Sequence, residues 1–123
     1  MKRYTSSMPY PFARAVEANG FLFLSGQLAM NAKGEPVPGT VEEQTRLIMK
    51  NISETLEVCG SSLDRLVKVT VWISDMAHFS AFNEIYRSYF PDGFPARSTV
   101  VSQLAYGLDV ELEVQGFSLN QAF

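Results

Sequence analysis

The sequence holds one cysteine, Cys59, and one histidine, His78. A lone thiol closes no internal disulfide, and one distant imidazole beside it makes no metal cluster, so neither a disulfide scaffold nor a structural metal is expected. Positive charge is scarce as well: Lys and Arg number 10 against 13 Asp and Glu, a formal net charge of -3. That balance gives no electrostatic basis for gripping a phosphate backbone, so nucleic acid is not an expected partner. No stretch approaches the ~20 apolar residues of a membrane span. The opening Met1-Lys2-Arg3-Tyr4-Thr5 lacks the apolar core of a signal peptide. The expectation is a cytoplasmic protein with no membrane partner. Repeats, low-complexity segments, a Gly-rich phosphate loop, a Ser-His-Asp set and a CxxC pair are all missing too.

What is present is 123 residues, 46% of them hydrophobic, enough for one core and too few for two typical domains. A single domain over residues 1–123 is expected. Two extended segments between Ala13 and Leu28 meet at Asn19-Gly20, a strong hairpin signal. The second, Phe21-Leu22-Phe23-Leu24, is apolar on both faces and should be covered on both. Thr40-Val41-Glu42-Glu43 fits a capping box, and Val41, Thr45, Ile48, Ile52, Leu56 and Cys59 then recur at helical steps until Gly60. From Leu66 to Ser74 the chain alternates, with Val67, Val69, Val71 and Ile73 on one face of a strand. Asp75 can cap a second helix whose inward stripe is Phe79, Phe82, Tyr86 and Tyr89, ended by Pro91. Strands over Arg97–Gln103 and Asp109–Phe117 complete a ββαβαββ order, with a short extra strand possible at Met1–Thr5.

Two helices cover only one face of such a sheet. With Val110, Leu112 and Val114 turned toward the helices, Glu111, Glu113 and Gln115 line the other face beside the doubly apolar Phe21–Leu24. A subunit interface containing polar pockets meets both demands, which points to a homo-oligomer.

Arg97 enters its strand from a loop stiffened by Pro95. A guanidinium fixed in this way can clamp a carboxylate through two parallel hydrogen bonds; it can equally pair with Glu111 or Glu113, and spacing does not choose between them. Glu111 and Glu113 share a strand face, cannot both be buried cheaply as anions, and one of them could serve as a general base. Ser25-Gly26-Gln27 ends the apolar strand, where a glycine marks close approach of a ligand or another backbone. Cys59 belongs to the core stripe, His78 is expected to be exposed without a role, and the second helix's aromatics are expected in the core.

Phe23-Leu24-Ser25-Gly26-Gln27, Asn83 with Tyr86, Phe94-Pro95-Ala96-Arg97-Ser98 and Val110-Glu111-Leu112-Glu113 together resemble the Rid, or YjgF-like, family of reactive intermediate deaminases, from about Pro11 to Phe117. The resemblance implies a chorismate-mutase-like α+β fold and a homotrimer whose sheets form a central β-barrel, with sites at the subunit interfaces. It further implies hydrolysis of enamines and imines to 2-oxo acids and ammonia, a small imino or enamino acid as substrate, and no cofactor or metal. Arg97 then matches the carboxylate clamp and Glu111 the glutamate that positions water, with Ser25, Gly26, Asn83, Phe12 and Thr99 at substrate-binding positions. Phe12 stands where the family commonly has a tyrosine, and Thr99 where it commonly has a cysteine, so this pocket departs in polarity. Alternatives within the same resemblance are a pathway-specific deaminase of a larger unsaturated amino acid, aminomuconate-like or aminoacrylate-like, and a non-catalytic regulatory protein that binds 2-oxo acids. The ribonuclease label that some members carry has little physical support in an acidic chain without a basic patch.

Overall fold

Asn19 and Gly20 adopt left-handed backbone conformations, φ 56° and 85°, which is what a two-residue type I′ turn needs. They join β2 (Ala15–Ala18) to β3 (Phe21–Leu24), and β1 (Lys2–Tyr4) pairs with the outer side of β2. The computed structural model describes residues 1–118 of the chain. Its sheet runs β1-β2-β3-β7-β5-β6, where β5 is Leu66–Ile73, β6 is Ala96–Val101 and β7 is Val110–Phe117. A two-residue strand, β4 (Gln27–Leu28), continues β3 against β7. Every pairing is antiparallel except β5 with β6, which are parallel because α2 crosses between them.

Helix α1 (Val41–Val58) begins at the capping box, with the Glu43 N–H donating to Thr40 Oγ1 at 3.1 Å and the Thr40 N–H donating to Glu43 Oε1 at 2.9 Å. Such a cap contributes ~1 kcal/mol. The helix ends where Gly60 turns left-handed and the Ser61 N–H reaches back to the Leu56 carbonyl. Ile48, Ile52 and Leu56 are fully buried beneath it, each contributing ~1.5–3 kcal/mol. They pack on Val69, Val71 and Ile73 of β5 and Val110, Leu112 and Val114 of β7 in one cluster that also takes in Phe82 and Tyr86 of α2 (Phe79–Arg87). Cys59 lies inside the same cluster, and burial pushes its thiol pKa up.

Several expectations need correction. Val67 does not join Val69 on the core face, because β5 carries a bulge between Leu66 and Lys68 that turns Val67 out to 49% exposure. Asp75 caps a single 3₁₀ turn, Met76–His78, rather than α2 itself. β6 ends at Val101 and β7 starts at Val110, slightly inside the expected limits. His78 is not simply exposed: its Nε2 lies 3.6 Å from the Asp109 carboxylate, which also accepts from Ser74 and Gln44. Within this chain β3 is covered on one face only, for Leu22 and Leu24 are buried while Phe21 and Phe23 remain 45% and 44% exposed.

Candidate functional site

The step from β3 to β4 carries an irregularity that shapes the site. From Phe23 to Gln27 the chain takes four residue steps, while their partners on β7, Gln115 and Leu112, are three apart. One extra residue is therefore bulged out around Ser25-Gly26, the kind of feature that re-aims side chains beside functional sites. The Ser25 hydroxyl donates to the Ala13 carbonyl at 2.6 Å, and the Ser25 N–H donates to the Arg14 carbonyl at 3.3 Å, so the bulge is tied down. A Cβ at Gly26 would sit 2.5 Å from Glu111 Oε2. An added methyl would displace the end of the Glu111 side chain, so glycine here lets the carboxylate lie close against the backbone.

Glu111 projects from the open face of β7, opposite Trp72 of β5 and Leu28 of β4, with Glu113 one pleat along opposite Thr70. Burial raises the Glu111 pKa above its ordinary value, and the neighbouring Glu113 raises it further. A carboxylate of raised basicity, half shielded from water, suits a base that takes a proton from water. Glu111, Gly26 and Phe12 all line a cavity of about 760 Å³ at the edge of β4.

Arg97 is placed differently. It stands on β6, which pairs only with β5 and leaves its other side free as a sheet edge among the described residues. Arg97 aligns with Val69, a core residue, so its side chain lies on the helix face. There the guanidinium carbon sits 5.0 Å from the ring of Tyr86, 5.6 Å from Phe82 and 5.7 Å from Phe79. These three aromatic faces hold the cation and fix its direction. Neither Glu111 nor Glu113 forms an ion pair with it; the pairs found among the described residues are Lys50 with Glu54 and His78 with Asp109.

A second hollow of about 230 Å³ opens beside it, lined by Asn83, Tyr86, Arg87, Phe94, Pro95 and Arg97. Asn83 Oδ1 and the Tyr86 hydroxyl are buried here with no hydrogen-bond partner among the described residues. Burial pushes the Tyr86 pKa up to about 12, against a smaller opposing pull from Arg97, so the hydroxyl keeps its proton.

The expected site residues thus fall into two groups. Phe12, Ser25, Gly26 and Glu111 gather at the β4 bulge; Arg97, Asn83 and, two residues along the same face of β6, Thr99 gather at the sheet edge. Glu111 and Arg97 lie on opposite faces of the sheet, so a single chain does not bring them together. Sequence reasoning assigned Tyr86 to the core alone. Its hydroxyl on an otherwise apolar stripe was the available signal, because a buried hydroxyl demands a partner.

A family model described as Endoribonuclease L-PSP matches residues 5–117. The mitochondrial protein mmf2 of Schizosaccharomyces pombe is 48% identical over 75% of this chain and 72% of its own. Reactive Intermediate Deaminase A of Arabidopsis thaliana, a chloroplastic protein, is 40% identical over 84% of this chain and 56% of its own. Among solved structures, the Rid-family protein YyfA of Yersinia pestis superposes with a TM-score of 0.83 at 42% identity, covering 87% of each chain.

Proposed function

Because the chain belongs to the Endoribonuclease L-PSP family, the YjgF/Rid group, we propose that it hydrolyses reactive enamines and imines to 2-oxo acids and ammonia without a cofactor. The observation that carries the reading is the Arg97 guanidinium, which pairs with no carboxylate among the described residues and is held over three rings beside an open hollow. A fixed cation with no carboxylate of its own is a carboxylate receptor.

Since Arg97 and Glu111 lie on opposite faces, the complete site joins Arg97 of one copy to Glu111 of another across the open edge of β6. A homotrimer closed into a central barrel would also cover Phe21, Phe23 and Val100 on the open face. Arg97, with Asn83 and Thr99 nearby, grips the substrate carboxylate. Glu111 accepts a proton as a water oxygen adds to the imine carbon, giving a carbinolamine. The nitrogen takes that proton back, the C–N bond breaks to release ammonia, and the hydroxyl proton passes by way of Glu111 to the ammonia as the carbonyl forms; one water is consumed for each ammonia released. A protonated imine is already electrophilic, so an oriented water and a positioned carboxylate suffice. An enamine enters after protonation at carbon.

The RNA-cleaving activity in the family's description finds no support in this chain's residues. Its one histidine is engaged by Asp109 and lines neither hollow. No helix among the described residues is long and apolar enough to cross a membrane. We place the chain in the cytoplasm, where imines released by other enzymes would meet it, although relatives are named for mitochondria and chloroplasts. The deciding measurement is release of 2-oxo acid from imino acids made in situ by an amino-acid oxidase, comparing the native chain with Arg97→Ala. Acceleration lost in the variant with the oligomer intact supports the reading. Binding of 2-oxo acids without turnover would replace it with a regulatory one.

A further inference from the structure

The cavity that Glu111 and Gly26 share is much larger than the substituent of a small imino acid. It occupies about 760 Å³ between the strap at residues 5–12, β4 with the segment after it, and the flank of α1. Its apolar walls are Met8 and Phe12 from the strap, Leu28, Met30 and Val37 from the β4 side, and Leu47 from α1.

Several of the polar side chains around it are already engaged. Arg14 donates through Nε to Thr55 Oγ1 at 2.8 Å, Asn51 donates to the Met30 carbonyl at 3.0 Å, and Lys50 faces Glu54 at 3.8 Å. Gln27 donates to the Ser25 carbonyl at 3.3 Å. Most of the surface the hollow offers a ligand is apolar. The strap is also held in position: the Tyr10 hydroxyl meets the Tyr106 hydroxyl at 2.9 Å and the Gly34 carbonyl at 3.2 Å, and the Tyr10 ring stacks on Phe12 at 5.8 Å. Phe12 thus presents a ring without a hydroxyl.

We infer that the substrates are 2-imino acids with long aliphatic or aromatic side chains, and that the hollow walled by Met8, Phe12, Met30, Val37 and Leu47 receives the side chain. The inference rests on the deaminase reading above. With the carboxylate on Arg97 of one copy and the imine carbon at Glu111 of the next, the remaining substituent points into this cavity. A one-carbon substituent would leave its walls wet, while each further buried methylene should raise kcat/KM about fourfold. An acidic substituent would meet the Glu111 and Glu54 carboxylates, where Lys50 already faces Glu54 and Arg14 is bonded through Nε to Thr55.

The test compares imines generated from alanine, leucine, phenylalanine and glutamate in the full-length protein. The expected order of kcat/KM is phenylalanine and leucine well above alanine, with glutamate lowest. Val37→Trp, which fills the hollow from an exposed wall position, should lower the phenylalanine-to-alanine rate ratio at least tenfold. Ala32→Trp, on another exposed part of the wall, serves the same purpose if the first variant does not fold. Arg97-dependent hydrolysis with a flat series, or one led by glutamate, would overturn the side-chain assignment and leave the deaminase reading standing. A ratio untouched by a folded filling variant would overturn it too. No acceleration with any of the four imines would remove the deaminase reading and this inference together.

Discussion

At the edge of β6 a cation is held by aromatic faces, whereas at the β4 bulge an anion is held by a gap in the backbone. Arg97 sits over Tyr86, Phe82 and Phe79, and its charge persists because a guanidinium is weakly hydrated and stacks well. Glu111 occupies the room that Gly26 leaves, and its surroundings disfavour its charge. Among the described residues the fold partners neither group with an opposite charge. It spends rigidity on one and desolvation on the other, the difference that the proposed roles of carboxylate receptor and base call for.

The comparison can be tested first at its stronger pole. Arg97→Ala should reduce kcat/KM by ~10³-fold, the equivalent of ~4 kcal/mol for losing a charge-assisted pair. Arg97→Lys should recover only part of this, since an ammonium cannot reproduce the planar fork. If lysine restores full activity, the aromatic cage is packing and the two-pronged clamp is wrong.

Glu111→Gln comes next, with kcat expected to fall ~10²-fold at nearly constant KM. In the native chain the rate should drop as pH falls through a Glu111 pKa above the ordinary glutamate value, because the base must be ionised. The stability effect has the opposite sign. A carboxyl whose folded pKa is raised binds its proton more tightly in the folded state, so its stabilisation is full below the unfolded value and lost as pH rises through the folded one. Glu111→Gln should therefore raise the melting temperature at neutral pH while removing activity. A variant both inactive and less stable would mean that Glu111 is a structural residue.

Gly26→Ala should have a smaller effect, ~10-fold in kcat, because the added methyl moves the far end of a flexible carboxylate rather than deleting it. Gly26 acts through Glu111, so the signature is a shifted acid limb of the pH profile with unchanged binding. A uniform loss without that shift would point to damage of the bulge instead.

Much of this arrangement was legible in the chain. The Asn19-Gly20 turn, the Thr40–Glu43 cap and the alternation of Val110 to Val114 are local signals, and each is realised where the residues call for it. What escaped was pairing. β4 is two residues long and exists only because β7 offers it a partner. Val67 left the core because a bulge against Gly116 shifted its register, and the face that Arg97 takes depends on parallel pairing with β5. Periodicity describes one strand at a time; the separation of Arg97 from Glu111 is a property of three strands taken together.

The smallest expected effect concerns Tyr86, which the helical stripe had assigned to the core. Its ring is one wall of the Arg97 cage, and its hydroxyl is buried with no partner among the described residues. A hydroxyl left this way costs ~1–3 kcal/mol, and at a pKa of about 12 it keeps a proton to donate at physiological pH. In the proposed reaction a carboxylate on Arg97 would supply an acceptor. Tyr86→Phe keeps the ring, so the free protein should become ~1 kcal/mol more stable to denaturant, while KM rises about threefold for loss of one modest hydrogen bond. Stability and KM both unchanged would show that the hydroxyl already finds a partner in the assembled protein. A gain in stability with KM unchanged would leave Arg97 as the carboxylate's sole charged anchor and make Tyr86 a wall of the cage and nothing more.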